Sequence, residues 1–102
     1  MAETATIHTL EDIRRLRPQI MKLARQCRAH QVSVFGSCVR GEMRADSDID
    51  FLVDFDEDYS LLDHAGLLVG LEDLLGCKVD VVPRKALRPF LRDTVISEAE
   101  EL

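Results

Sequence analysis

A two-layer α/β sandwich is the fold class this sequence predicts, and three patterns predict it. Short runs rich in β-branched and aromatic residues, at 32–35, 48–55 and 77–82, alternate with segments whose apolar residues recur at helical spacing. Two of the helical segments open on capping residues, Thr9 with Asp12 and Ser60 with Asp63. Glycine or proline closes element after element, at Gly36, Gly41, Gly76 and Pro83. The resulting order is α-β-α-β-α-β-α, in which each helix can cover one face of the sheet. With 102 residues the chain is read as one domain, 1–102, with residues 1–8 loose. A domain of this size buries roughly 65% of the surface its unfolded chain exposes, enough for one modest core.

The first helical pattern runs through Leu10, Ile13, Leu16, Ile20, Leu23, Ala24 and Cys27. Pro18 falls inside it. Either the helix kinks there, or a short helix ends and a second begins with Pro18 in its first turn. Arg14, Arg15, Arg17, Lys22, Arg25 and Arg28 lie largely off the apolar stripe, as a solvated face or as a contact for a partner or nucleic acid. Residues 32–35 read as a buried strand ended by Gly36-Ser37. Residues 37–41 allow one helical turn, broken at Gly41, and 42–47 form a polar loop.

Residues 48–55 alternate with the period of a strand: Ile49, Phe51, Val53 and Phe55 on one face, Asp48, Asp50, Leu52 and Asp54 on the other. The next helix is predicted from Leu61, Leu62, Ala65, Leu68, Val69, Glu72 and Leu75, with Gly66 and Gly70 weakening it but allowing close packing. In 77–82, Val79 and Val81 face one way and Asp80 the other. Residues 86–100 suit a closing helix or two that carry Leu87, Leu91, Val95, Ile96 and Ala99, with Pro89 as a start or a kink.

Composition narrows the function. The formal net charge of −6 runs against a face built for a phosphate backbone, so no direct nucleic-acid partner is expected. The absence of Trp and the small aromatic share argue against stacking platforms for single strands. Acids crowd positions 46–58: Asp46, Asp48, Asp50, Asp54, Asp56, Glu57 and Asp58, of which the last three read as a solvated loop. Cys27, Cys38 and Cys77 show no C-x-x-C spacing and read as reduced, mostly buried thiols of a cytoplasmic protein. His8, His30 and His64 share no metal-ligand spacing. No signal-peptide pattern opens the chain, and no apolar run approaches the ~18 residues of a membrane span.

The remaining acids point to chemistry. Residues i and i+2 of a strand share a face, about 6.5 to 7 Å apart at Cα, so Asp48 and Asp50 can converge on one hard cation. Asp80, an acid inside the apolar run KVDVV, is costly if buried alone and accounted for if it shares a metal; the alternative is that it lies on the exposed face of an edge strand. Upstream, the Gly36-Ser37 turn offers free N–H groups, close approach and a hydroxyl to an anion, with Arg40 one turn on. Together these parts suit phosphoryl transfer with two metal ions.

The stretch GSCVRGEMRADSDIDFLV, with VDVV later, resembles the signature of the DNA polymerase β-like nucleotidyltransferases, and within them the minimal (MNT) subfamily. The resemblance runs from the first helix to the closing LRPFLRDTVISEAEEL. It implies the polymerase β-like palm, a short mixed β-sheet with helices packed on it. It implies that Gly36 and Ser37 bind the triphosphate, that Arg40 supports it, and that Asp48 and Asp50 hold two Mg2+ ions. Asp80 would complete the catalytic metal site and help to activate the acceptor hydroxyl. Ser47 either bonds a phosphate or starts the strand.

The resemblance also implies a partner. Members of this size pair with HEPN-domain RNase toxins, in some cases moving AMP from ATP onto a toxin tyrosine, so the expected activity is that of an antitoxin adenylyltransferase of a HEPN/MNT toxin–antitoxin module. A chain without an acceptor-binding domain would borrow its acceptor surface from another protein, in a homodimer or a hetero-oligomer. Two alternatives stand beside it: an antitoxin that neutralises by complex formation alone, and a nucleotidyltransferase acting on small molecules such as aminoglycosides.

Overall fold

The structure, a computed structural model, describes residues 9–42, 44 and 47–102. The expected loose segment 1–8 with its His8, and Met43, Ala45 and Asp46 of the polar loop, lie outside the described residues. Thr9 caps the first helix as its sequence demands. Its hydroxyl accepts from the Asp12 N–H at 3.2 Å, and the Asp12 carboxylate accepts from the Thr9 N–H at 3.1 Å. Helix α1 spans Leu10–Arg15 and α2 spans Arg17–Gln26, with Pro18 in the first turn of α2. Of the two readings of Pro18, the second therefore holds: the chain breaks at Leu16, where no proline N–H is missed.

Strand β1, Ala29–Phe35, begins three residues earlier than its β-branched run because residues 29–31 pair with β2 through an irregular register. A four-residue helix α3, Ser37–Arg40, follows and ends at Gly41, whose φ of 73° lies in the left-handed region. Strand β2 is Ile49–Phe55, so Asp48 stands just ahead of it rather than within it. Helix α4, Leu61–Leu75, carries the Ser60–Asp63 capping box and stops at Gly76. It crosses from β2 to the parallel strand β3, Val79–Pro83, a connection that a tight hairpin cannot make. A 3-10 turn at Arg84–Ala86, helix α5 at Pro89–Glu98 and a short strand β4 at Glu100–Glu101 complete the described chain.

The sheet order is β3-β2-β1-β4, with β2–β3 parallel and the other pairs antiparallel. The mixed sheet expected from the resemblance is present, with one strand more than sequence periodicity predicted. One face carries Val32, Val34, Ile49, Phe51, Val53, Val79 and Val81 against Ile13, Ile20, Ala24, Leu67, Leu71 and Leu75 of the helices. Each of the fully covered aliphatics contributes about 1.5–3 kcal/mol. Gly66 and Gly70 let α2 lie close on α4: a Cβ at Gly70 would stand 3.1 Å from Leu23, and one at Gly66 3.5 Å from Cys27 Sγ.

Four expectations need correction. The buried stripe of α4 is Leu67, Leu71 and Leu75, while Leu61, Leu62 and Val69 are exposed. The helix is leucine-rich around most of its circumference, so spacing alone could not choose the face. Helix α5 contributes no buried residue, and Phe90, Leu91 and Ile96 lie open on it. Leu52, on the acidic face of β2, is buried opposite Ser33 of β1. Of the thiols only Cys38 is buried; Cys27 and Cys77 are half-buried. Among the described residues no helix is long and apolar enough to cross a membrane.

Candidate active site

The site grows from the end of β1. Phe35 pairs with Asp50 across the sheet, so the residue that follows it must turn beside the Asp50 carboxylate. Gly36 makes that turn with φ 81° and ψ −151°. A Cβ here would collide with Asp50 Oδ2 and stand 3.3 Å from Asp50 Cγ, so glycine is required twice, by conformation and by space. The Gly36 carbonyl accepts from the Val39 and Arg40 N–H groups at 3.1 and 3.2 Å, which winds Ser37 and Arg40 into the short α3. Gly36 is buried, Ser37 half-buried and Arg40 exposed.

The acids lie at neighbouring strand ends. Asp50 of β2 and Asp80 of β3 are register partners in the parallel pair, and Asp48 lies two residues upstream of Asp50. Of the two placements expected for Asp80, buried beside a metal or exposed on an edge strand, the structure shows the second. β3 is an edge strand, and Asp80 is exposed on it. What places Asp80 here is register. Burial pushes the Asp50 carboxyl above the ordinary carboxylate range; the charges of Asp80 and Asp48 push it the same way, Arg40 opposes them, and Glu98 adds to the rise. Among the described residues no three His, Cys, Asp or Glu side chains are already drawn into a cation cage. The donor chemistry nonetheless suits a hard divalent cation: three carboxylates, oxygen donors only, at adjacent strand ends, whose mutual repulsion a cation would relieve.

One residue absent from the sequence reading enters the site. Glu98, in the last turn of α5, accepts through Oε1 from the Gly36 N–H at 2.6 Å and from Arg40 Nη1 at 2.7 Å. Arg40 Nε also donates to Glu42 at 2.8 Å. No local signal marks Glu98, because its partners lie some sixty residues away in sequence. Ser47 lies two residues ahead of β2 and does not itself start the strand. Its hydroxyl accepts from the Arg44 N–H at 2.9 Å, and its N–H donates to the Arg44 carbonyl at 3.0 Å, closing the turn ahead of β2.

The arrangement sets a glycine turn with N–H, hydroxyl and guanidinium donors beside a carboxylate group with metal-ligand chemistry. A match to the nucleotidyltransferase domain family spans residues 13–102. A protein adenylyltransferase, MntA of Thermococcus cleftensis, is 43% identical over 91 residues, covering 88% of this chain and 92% of that protein. The solved structure of a minimal nucleotidyltransferase is 46% identical with a TM-score of 0.84, covering 96% of this chain and all of that one. A mutant of the MntA–HpeT toxin–antitoxin pair contains a chain that is 25% identical with a TM-score of 0.67, covering 84% of this chain and 70% of its own length.

Proposed function

The chain belongs to the nucleotidyltransferase domain family, and from that premise we propose that it transfers AMP from ATP to a tyrosine of a HEPN-domain toxin and so acts as the toxin's antitoxin. The observation that carries the reading is the in-register pairing of Asp50 with Asp80 beside the Gly36–Ser37 turn. The adenylyltransferase relative supports the nucleotide and the protein acceptor. The toxin–antitoxin likeness supports the class of partner.

In this reading Gly36, Ser37 and Arg40 bind the triphosphate oxygens, the glycine by its N–H and its lack of a side chain. Ser47, tied into its turn, supports the loop that delivers Asp48. Asp48, Asp50 and Asp80 would hold Mg2+, which neutralises charge on the triphosphate and lowers the pKa of the acceptor hydroxyl. The acceptor oxygen forms a bond to the α-phosphorus as the bond from that phosphorus to the bridging oxygen breaks. Pyrophosphate departs with the bonding pair. Asp80, exposed beside Asp50, is accessible to a protein hydroxyl, and it helps to pass the hydroxyl proton on to solvent.

A second reading, neutralisation by complex formation alone, is favoured by the exposed Phe90, Leu91, Leu61 and Leu62. One experiment separates the two. The protein is incubated with Mg2+ and ATP, with and without a co-expressed HEPN partner, and the partner is weighed intact. AMP-sized mass gains that vanish in Asp48→Asn/Asp50→Asn are the expected result. Full protection from the toxin by that double variant refutes catalysis as the mechanism.

A further inference from the structure

We propose that Glu98 is an internal stand-in for a phosphate: in the nucleotide-free protein its carboxylate occupies the seat formed by the Gly36 N–H and the Arg40 guanidinium, and so sets the affinity for the triphosphate. The inference rests on the reading that this seat receives the nucleotide. One oxygen, Oε1, accepts from both donors at 2.6 and 2.7 Å, at and just below the short end of the range of charge-assisted bonds. A carboxylate oxygen and a phosphate oxygen offer these donors the same acceptor chemistry. They cannot occupy one position together, so nucleotide and Glu98 exclude each other there.

The surroundings make Glu98 displaceable. Helix α5, which carries it, supplies no buried residue, so the core stays intact if the helix shifts. Beyond it lie β4, paired only with Ser33 and Val34 of β1, the exposed Arg14–Glu100 ion pair at 3.5 Å, and a Leu102 N–H bond to the Val32 carbonyl at 3.0 Å. Glu98 also sets a further carboxylate on the side of Asp50, beyond the Gly36 turn that both of them touch. An arriving triphosphate would repel it as well as replace it. The seat is therefore open only in the fraction of molecules with Glu98 withdrawn, and the apparent affinity is reduced by that fraction.

The test uses the full chain, as wild type, Glu98→Gln and Glu98→Ala. Mg-ATP binding is measured by calorimetry, and the Gly36 amide is followed by NMR. Glu98→Ala should bind roughly tenfold more tightly than wild type, with Glu98→Gln between them because it keeps an acceptor oxygen and loses the charge. The Gly36 amide should move upfield in Glu98→Ala and return downfield when ATP or inorganic tripolyphosphate is added. Dispersed spectra establish that each variant is folded, and Glu98→Gln alone carries the comparison if the alanine variant is not. Equal or weaker ATP binding by the folded variants, with Gly36 still shifting in wild type, overturns the stand-in and makes Glu98 a positioning residue for Arg40. No ATP-dependent shift at Gly36, Ser37 or Asp50 in wild type overturns the nucleotide seat itself, and the stand-in with it.

Discussion

Replacing Asp50 by Asn should make the cation-free protein more stable while removing its stabilisation by magnesium. Asp50 and Asp80 are register partners on strands whose backbones run about 4.8 Å apart. At a carboxylate separation on the order of 6 Å, two unit charges repel by about 0.7 kcal/mol in water and about 3 kcal/mol at an effective dielectric of 20. Asp80 is exposed and Asp50 partly so, which places the penalty near the low end, about 1 kcal/mol. The sign follows from linkage. The folded state raises the Asp50 pKa by burial and by its acidic neighbours, so it binds that proton more tightly than the unfolded chain does. The Asp50 contribution to stability therefore falls as pH rises from the ordinary carboxylate value through the raised one, and its penalty is complete above the raised one.

Asparagine keeps the shape and removes the charge. For a chain of 102 residues about 1 kcal/mol corresponds to roughly 5 °C in Tm. Calorimetry in EDTA should show Asp50→Asn melting higher than wild type at pH 7, with the gap closing toward about pH 4. Adding Mg2+ to ten times its dissociation constant should stabilise wild type by about 1.4 kcal/mol and the variant far less. A lower Tm for Asp50→Asn in EDTA would refute the electrostatic reasoning. Equal stabilisation of both proteins by Mg2+ would refute Asp50 as a ligand.

Gly36→Ala should cost about 2–3 kcal/mol in urea unfolding, because its backbone is left-handed and its Cβ would collide with Asp50. Asp80→Asn should leave Tm within about 0.5 kcal/mol of wild type, since the side chain is exposed, while abolishing AMP transfer in the mass assay. On α4, Leu71→Ala should cost about 2–5 kcal/mol and Leu61→Ala about 0.5 or less; equal effects would refute the face assignment.

The parts of this molecule that were legible in its sequence are those whose determinants lie within a few residues of one another. Thr9 with Asp12 and Ser60 with Asp63 name two helix starts because the bonds they make span three residues. Gly41 and Gly76 name two stops for the same reason. The alternation through β2 places Asp50 opposite the core without reference to any other strand. Legibility fails where the determinant is a pairing between distant segments. β4 consists of two glutamates, Glu100 and Glu101, a composition that strand propensity disfavours, and it exists because the edge of β1 is open beside it. Glu98 owes its place to that same docking.

Asp80 marks the boundary between the two cases. The apolar run around Asp80 suggests a burial cost that the fold does not exact, since the side chain is exposed on an edge strand. Its place next to Asp50 comes from parallel register, which is fixed by Ile49, Phe51, Val79 and Val81 all seeking one core face. A slip of β3 by one residue would send Val79 and Val81 to the other face, so hydrophobic burial, and not any attraction between the acids, brings Asp50 and Asp80 together. The core thus holds two carboxyl groups side by side whatever their charges, and that enforced proximity is what the Asp50→Asn and Mg2+ experiments probe.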